Sequence, residues 1–213
     1  MKIYVIGSSI GYARWMLDVL NATLTDKMED SDLVVLTGGA DIDPMFYGEN
    51  KGKYTSTYAQ RDDYEFAEIN KAIDLNKKIV GICRGMQWLT IINGGKLIQH
   101  INHPGSHKIK LYNNNEVIVN SMHHQMCFPY DITTKYKILG FTDNISNVHL
   151  NGDNKNVELP NNFVEPEIIL FNDNHLGYQY HPEAMSMNSE GMQATVDIFL
   201  KFMNNKLVEE VYE

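Results

Sequence analysis

The chain has 213 residues, 43% hydrophobic and 21% charged, with a formal net charge of −9. That length suits one domain, 1–213, with a full core, and the negative surplus argues against nucleic acid and anionic membranes as partners. No apolar run approaches the roughly 18 residues that span a bilayer. Met1–Gly7 is interrupted too soon for a signal peptide, and two cysteines without a disulfide framework fit a reducing cytoplasm.

Apolar runs predict strands at Ile3–Ile6 and Leu33–Leu36, with a helix over Tyr12–Leu24 between them that puts Trp15, Met16, Val19 and Leu20 on one face. The space between Gly7 and Leu33 leaves room for that helix and little more, so no further strand is expected there. Asp62–Asn76 reads as a second helix and Ile79–Cys83 as a strand, followed by a helix-like Met86–Ile92. Gly105–Asn115 is loop-like at both ends. Strands are expected at Glu116–Asn120, Lys137–Phe141, Ile168–Phe171 and Leu176–Tyr180, and a closing helix over Ser189–Leu207. Asp143–Asn162, dense in Asn, Asp and Gly, reads as surface turns or a long hairpin connection. Alternating helices and near-continuously apolar strands imply an α/β fold, a mostly parallel sheet with helices on both faces.

The chemistry is concentrated at Gly81-Ile82-Cys83-Arg84-Gly85. A strand entering Gly-x-Cys-x-Gly and leaving as a helix is the cysteine form of a nucleophile elbow, where the residues flanking the tight turn must be small. The helix start presents a positive end to the sulfur, and the Arg84 N–H is placed to donate to an oxyanion. A thiol nucleophile needs a base, and the base an orienter. His181-Pro182-Glu183 follows an apolar strand, and Glu183 lies close enough to hold one imidazole nitrogen.

His100, His103, His107, His123 and His124 are the competing metal ligands. Adjacent histidines rarely serve one ion, and no helical His-x-x-x-His or cysteine pair supports a site, so no metal and no cofactor are expected. Arg61, Asp62 and Glu65 read as a helix-start cap and an ion pair. Cys127 reads as packing.

The elbow with His181-Pro182-Glu183 resembles class I glutamine amidotransferases. Three further segments narrow the likeness to the γ-glutamyl hydrolase branch, peptidase family C26. They are Thr37-Gly38-Gly39-Ala40-Asp41-Ile42-Asp43-Pro44 with Tyr47-Gly48-Glu49, Arg61-Asp62-x-x-Glu65, and Val119-Asn120-Ser121-Met122-His123-His124-Gln125. The resemblance runs from about Val34 to Glu183. It implies a flavodoxin-like strand order with the site at the carboxyl ends of the strands. It also implies a triad of Cys83, His181 and Glu183, oxyanion donors at Gly39 and Arg84, and a substrate pocket with Gln87, Asn120, Ser121 and His123. The implied reaction is hydrolysis of a γ-glutamyl amide through a γ-glutamyl thioester. An ammonia-supplying glutaminase subunit of a separate synthetase would keep the same triad, and a catalytically idle binding protein of this fold would be expected to have lost part of it. The partners this leaves are a small γ-glutamyl substrate, a second copy of the chain in a homodimer and, under the second reading, a synthetase.

Overall fold

The structure, a computed structural model, describes residues 1–103, 105–143 and 145–212. Asn144, inside the Asn-rich segment, lies outside the described residues. The strands are β1 (Lys2–Ile6), β2 (Thr23–Leu24), β3 (Leu33–Leu36), β4 (Lys78–Ile82), β5 (Lys96–Ile98), β6 (His100–Ile101) and β7 (His107–Leu111), then β8 (Glu116–Val119), β9 (Met126–Phe128), β10 (Tyr136–Thr142), β11 (His149–Leu150), β12 (Glu165–Phe171) and β13 (His175–Tyr178). The helices are α1 (Arg14–Leu20), α2 (Ala59–Asp74), α3 (Arg84–Ile92), α4 (Glu190–Met203) and α5 (Lys206–Tyr212).

Among the described residues one large sheet runs β2-β1-β3-β4-β13-β12-β10-β7-β8. From β2 to β13 every neighbouring pair is parallel, and from β13 to β8 every pair is antiparallel. Both faces are covered, which is why β3 and β12 are buried along their whole length. On one face Trp15 and Met16 of α1 and Met192, Ile198, Phe199 and Phe202 of α4 meet Ile3, Val35, Val80 and Leu176. On the other, Ile69 and Ala72 of α2 and Met86, Trp88 and Leu89 of α3 meet Ile6, Val34, Ile79 and Ile169. The fold is α/β, as its composition pattern implied.

Three expectations need correction. A short strand, β2, does fit between Gly7 and Leu33, because α1 ends at Asn21 in the left-handed region (φ 47) and the chain turns straight back to pair with β1. The first helix is accordingly shorter than Tyr12–Leu24, and a 3₁₀ turn over Ile10–Ala13 precedes it. The closing helix is two helices, interrupted where Asn205 takes φ 60. Between the loop-like ends of Gly105–Asn115, β7 alternates exposed and buried positions and joins the sheet beside β10. The Asn-rich segment connects the antiparallel neighbours β10 and β12, and carries β11, which pairs with β6.

The central pair β4 and β13 positions the site. They lie in parallel register, Gly81 opposite Gly177 and Ile82 opposite Tyr178. Their carboxyl ends therefore finish side by side, and the residues that follow each strand meet.

Candidate active site

Cys83 leaves β4 at φ 52 and ψ −106, a conformation that non-glycine residues rarely adopt. Its N–H donates to the Tyr178 carbonyl at 2.7 Å, and its own carbonyl accepts from Gln87 N–H at 3.1 Å in the first turn of α3. The turn is tight enough that its flanks must be glycine. A Cβ on Gly81 would stand 2.4 Å from the Gly85 carbonyl carbon, and one on Gly85 would stand 2.4 Å from the Leu36 carbonyl oxygen.

His181 follows β13 and faces the sulfur. Burial lowers its affinity for a proton, but hydrogen bonds to Cys83 and Glu183 outweigh that and push its pKa up to about 10. Glu183 Oε1 lies 2.7 Å from His181 Nδ1, leaving Nε2 as the ring nitrogen free for the sulfur. Pro182 starts a 3₁₀ turn that brings Glu183 back under the ring. Asn120 fixes the backbone of His181 from both sides: its Oδ1 accepts from His181 N–H at 2.8 Å, and its Nδ2 donates to the His181 carbonyl at 2.8 Å.

The Gly38–Ala40 turn after β3 forms the opposite wall. Arg61 donates to the Gly38 carbonyl at 2.8 Å and Arg84 to the Ala40 carbonyl at 2.7 Å. Both guanidiniums are neutralised from α2. Glu65 binds Arg61 Nε at 2.6 Å and Arg84 Nε at 2.8 Å, Asp62 binds Arg84 Nη2 at 2.5 Å, and Trp88 Nε1 donates to Glu65 at 2.8 Å. Asp62 also accepts from Asp43 N–H at 3.1 Å. The Arg61–Glu65 pair was expected, but no side chain caps the start of α2. The group is a buried clamp on the glycine turn, because Arg84 reaches back from α3 and ties the two helices together. Gly39 has φ 155, and a Cβ there would stand 2.0 Å from Arg61 Nη1.

The remaining residues separate. Gln87 is buried one turn beyond Cys83. Ser121 Oγ meets His103 Nδ1 at 3.0 Å. His123 turns inward toward Glu167, and burial pushes it down to about 4 against the pull of that carboxylate. His124 turns the other way, to Asp41 at 3.1 Å, which raises its pKa. Thus Asn120, Ser121 and His123 are all engaged by other protein groups. Cys127 is fully buried, burial pushes its thiol up, and its sulfur contacts Gln179 Oε1 at 3.5 Å.

One neighbour was not foreseen. Tyr12 lies 5.9 Å, ring centroid to ring centroid, from His181. Burial, then the charges of Glu183 and Cys83, raise its pKa. A Cβ on Gly38 would stand 2.8 Å from its hydroxyl, so Tyr12 roofs the space between the glycine turn and His181. Its sequence context, the first residue of an expected helix, carries no signal of this. A cleft of about 200 Å³, lined by Gly11, Trp15, Glu183 and Met185 among others, opens beside it.

The Peptidase C26 family model matches residues 15–110. A putative glutamine amidotransferase-like protein of Lactococcus lactis is 44% identical over 85 residues, 39% of this chain and 34% of the relative. The match therefore spans about a third of that relative's length. The NtpR protein of Enterococcus hirae is 28% identical over 205 residues, 84% of this chain and 78% of that protein. Among solved structures, a putative GMP synthase component from Thermoplasma acidophilum superposes with a TM-score of 0.60 at 19% identity, covering 99% of this chain and 96% of that one.

Proposed function

We propose that the chain, whose residues 15–110 match the Peptidase C26 family model, is a glutamine amidotransferase-like hydrolase that cleaves a γ-glutamyl amide to glutamate and an amine. The observation that carries this reading is the meeting of a cysteine at φ 52 with an imidazole bound at 2.7 Å to a carboxylate.

In the proposed reaction the Cys83 sulfur attacks the γ-carbonyl carbon, and the carbonyl π pair moves to oxygen. As the tetrahedral intermediate collapses, the C–N bond breaks, and His181 Nε2 gives its proton to the departing nitrogen. A γ-glutamyl thioester remains. His181 then takes a proton from water, the hydroxyl adds to the thioester carbon, and collapse releases glutamate while the proton returns to the Cys83–His181 pair.

Two backbone N–H groups would hold the oxyanion, those of Arg84 and Gly39. In a trans peptide the N–H points opposite to the preceding C=O. Arg61 draws the Gly38 carbonyl to itself at 2.8 Å, so the Gly39 N–H is turned away from Arg61. Arg61 is thus a positioning residue for that donor. Gln87 and Tyr12 would border the glutamyl group, and Asn120 would act on substrate only through His181. A catalytic thiol suits a reducing cytoplasm, and no helix among the described residues is long and apolar enough to cross a membrane.

A second reading is a glutaminase subunit that passes ammonia to a separate synthetase. Its support is at the level of fold, through the Thermoplasma protein named as part of a GMP synthase. Glutamate release from L-glutamine and from a panel of γ-glutamyl amines, with Cys83→Ala as blank, separates the two. Rapid turnover of one γ-glutamyl amine and little of glutamine supports the hydrolase. Turnover of glutamine alone, or only on adding a synthetase, supports the ammonia-supplying role. Undiminished turnover by Cys83→Ala would refute both.

A further inference from the structure

On the far side of Asn120, three separate segments send imidazoles to the carboxylates of β12. His103 follows β6, His107 opens β7, and His123 lies in the loop between β8 and β9. His103 Nε2 is 3.1 Å from Glu165 Oε2 and 3.6 Å from Glu167 Oε1. His107 Nε2 is 3.2 Å, and His123 Nε2 3.8 Å, from the same Glu167 oxygen. One donor atom each from His103, His123 and Glu167 lie within 4.8 Å of one another. The His123 and His107 side chains are 2% and 6% exposed, and that of Glu167 1%.

The ring of His123 can be oriented without ambiguity. Its Nδ1 lies 2.9 Å from the Gln125 carbonyl, and a carbonyl only accepts, so the proton sits on Nδ1. In the neutral ring Nε2 then aims a lone pair toward a buried carboxylate. Among the described residues, neither His123 Nε2, nor either nitrogen of His107, nor Glu167 Oε2 has a hydrogen-bond partner. A lone pair of neutral His123 facing the Glu167 carboxylate is repelled by it, and buried polar atoms left without a hydrogen bond are costly. A cation at their focus turns the same arrangement into attraction.

We propose that His103, His123 and Glu167, with His107 as fourth donor, bind one divalent first-row transition-metal ion, with zinc as the best match. Imidazole and carboxylate donors suit zinc, and bonds of its usual length put tetrahedral donors about 3.3–3.6 Å apart. The separations to Glu167, 3.2 to 3.8 Å, already bracket that spacing. The outer contacts follow the pattern of bound imidazoles: Gln125 carbonyl on His123 Nδ1 and Ser121 hydroxyl on His103 Nδ1. The ion fastens the loop before β7 and the loop after β8 to the sheet. Asn120, one residue before Ser121, carries that anchorage to the backbone of His181. Sequence spacing argued against a metal because it tested His123 with His124. Those two rings diverge, and the ligands come from segments far apart in the chain.

The test uses the Cys83→Ala chain, so that the thiol cannot itself take metal. Zinc is titrated in competition with a chromophoric chelator, and cobalt(II) is followed by its visible ligand-field absorption. The expected result is one equivalent of zinc and a tetrahedral cobalt spectrum, both lost when His123→Ala or the near-isosteric Glu167→Gln is added. Ser121→Ala keeps the stoichiometry and weakens binding by about 10- to 100-fold, which supports the site even where a ligand variant fails to fold. A parent chain that takes up no zinc overturns the proposal, since a protonated His103 between two carboxylates would then hold the cluster together. Uptake that none of the three substitutions changes also overturns it, as adventitious binding elsewhere.

Discussion

His181 is an imidazolium over the whole neutral range, because Cys83 and Glu183 hold its pKa up to about 10 against burial. As the leaving amine needs that proton, kcat/KM should fall on the alkaline side as pH rises through that value. Removing an anionic neighbour lowers the pKa of a cation. Glu183→Ala should therefore shift the alkaline limb to lower pH and cut the rate at neutral pH by roughly 10²–10⁴-fold. Unshifted pH–rate profiles of the two proteins would remove Glu183 from the mechanism. Asn120 shows how a residue's part can change once neighbours are known. The family resemblance implied a place near substrate, whereas both ends of its amide are committed to the His181 backbone.

At the site, helices α2 and α3 are joined by the Arg61, Asp62, Glu65 and Arg84 clamp. Arg84 and Asp62 are almost completely buried, at 1% and 0% side-chain exposure. Arg84→Met would leave two acids without their shared cation and free the Ala40 carbonyl. A loss of about 3–5 kcal/mol in unfolding free energy is expected, measurable by urea denaturation, with turnover falling at temperatures where the fold persists. This clamp also marks the limit of what the sequence disclosed. The elbow was legible because its demands are local: two glycines, one cysteine, a strand before and a helix after. Arg61 with Glu65 was legible too, being one helical turn apart. Arg84 could not be added, since its reach to Asp62 depends on how α3 lies against α2. The break at Asn205, the return of β2 and the roof made by Tyr12 were hidden for related reasons. Each depends on a single residue's backbone or on packing between distant segments, and hydrophobic periodicity reports neither.

Across the whole molecule, the parallel half of the sheet supplies the strand ends that hold the chemistry, and the antiparallel half braces His181 from the side. His175 opens β13 at the end of the sheet away from the site. Burial depresses its pKa to about 4 from 6.5, so it folds uncharged. Below pH 6.5 the unfolded chain gains a proton there that the folded chain refuses, so this contribution to stability is intact above that pH and declines as pH falls toward 4. The full decline is about 3 kcal/mol, and His175→Leu should flatten that part of a stability–pH curve from chemical denaturation. The backbone of Cys83 has a different global consequence. Strain of that kind costs about 1–3 kcal/mol, and glycine accepts φ 52 without it. Cys83→Gly should melt at a higher temperature than the natural chain while losing all turnover; an unchanged or lower melting temperature would mean that the turn is relaxed. A lineage released from selection for the reaction would thus have a thermodynamic incentive to discard its nucleophile early, since mutation toward glycine at this codon relieves the strained turn.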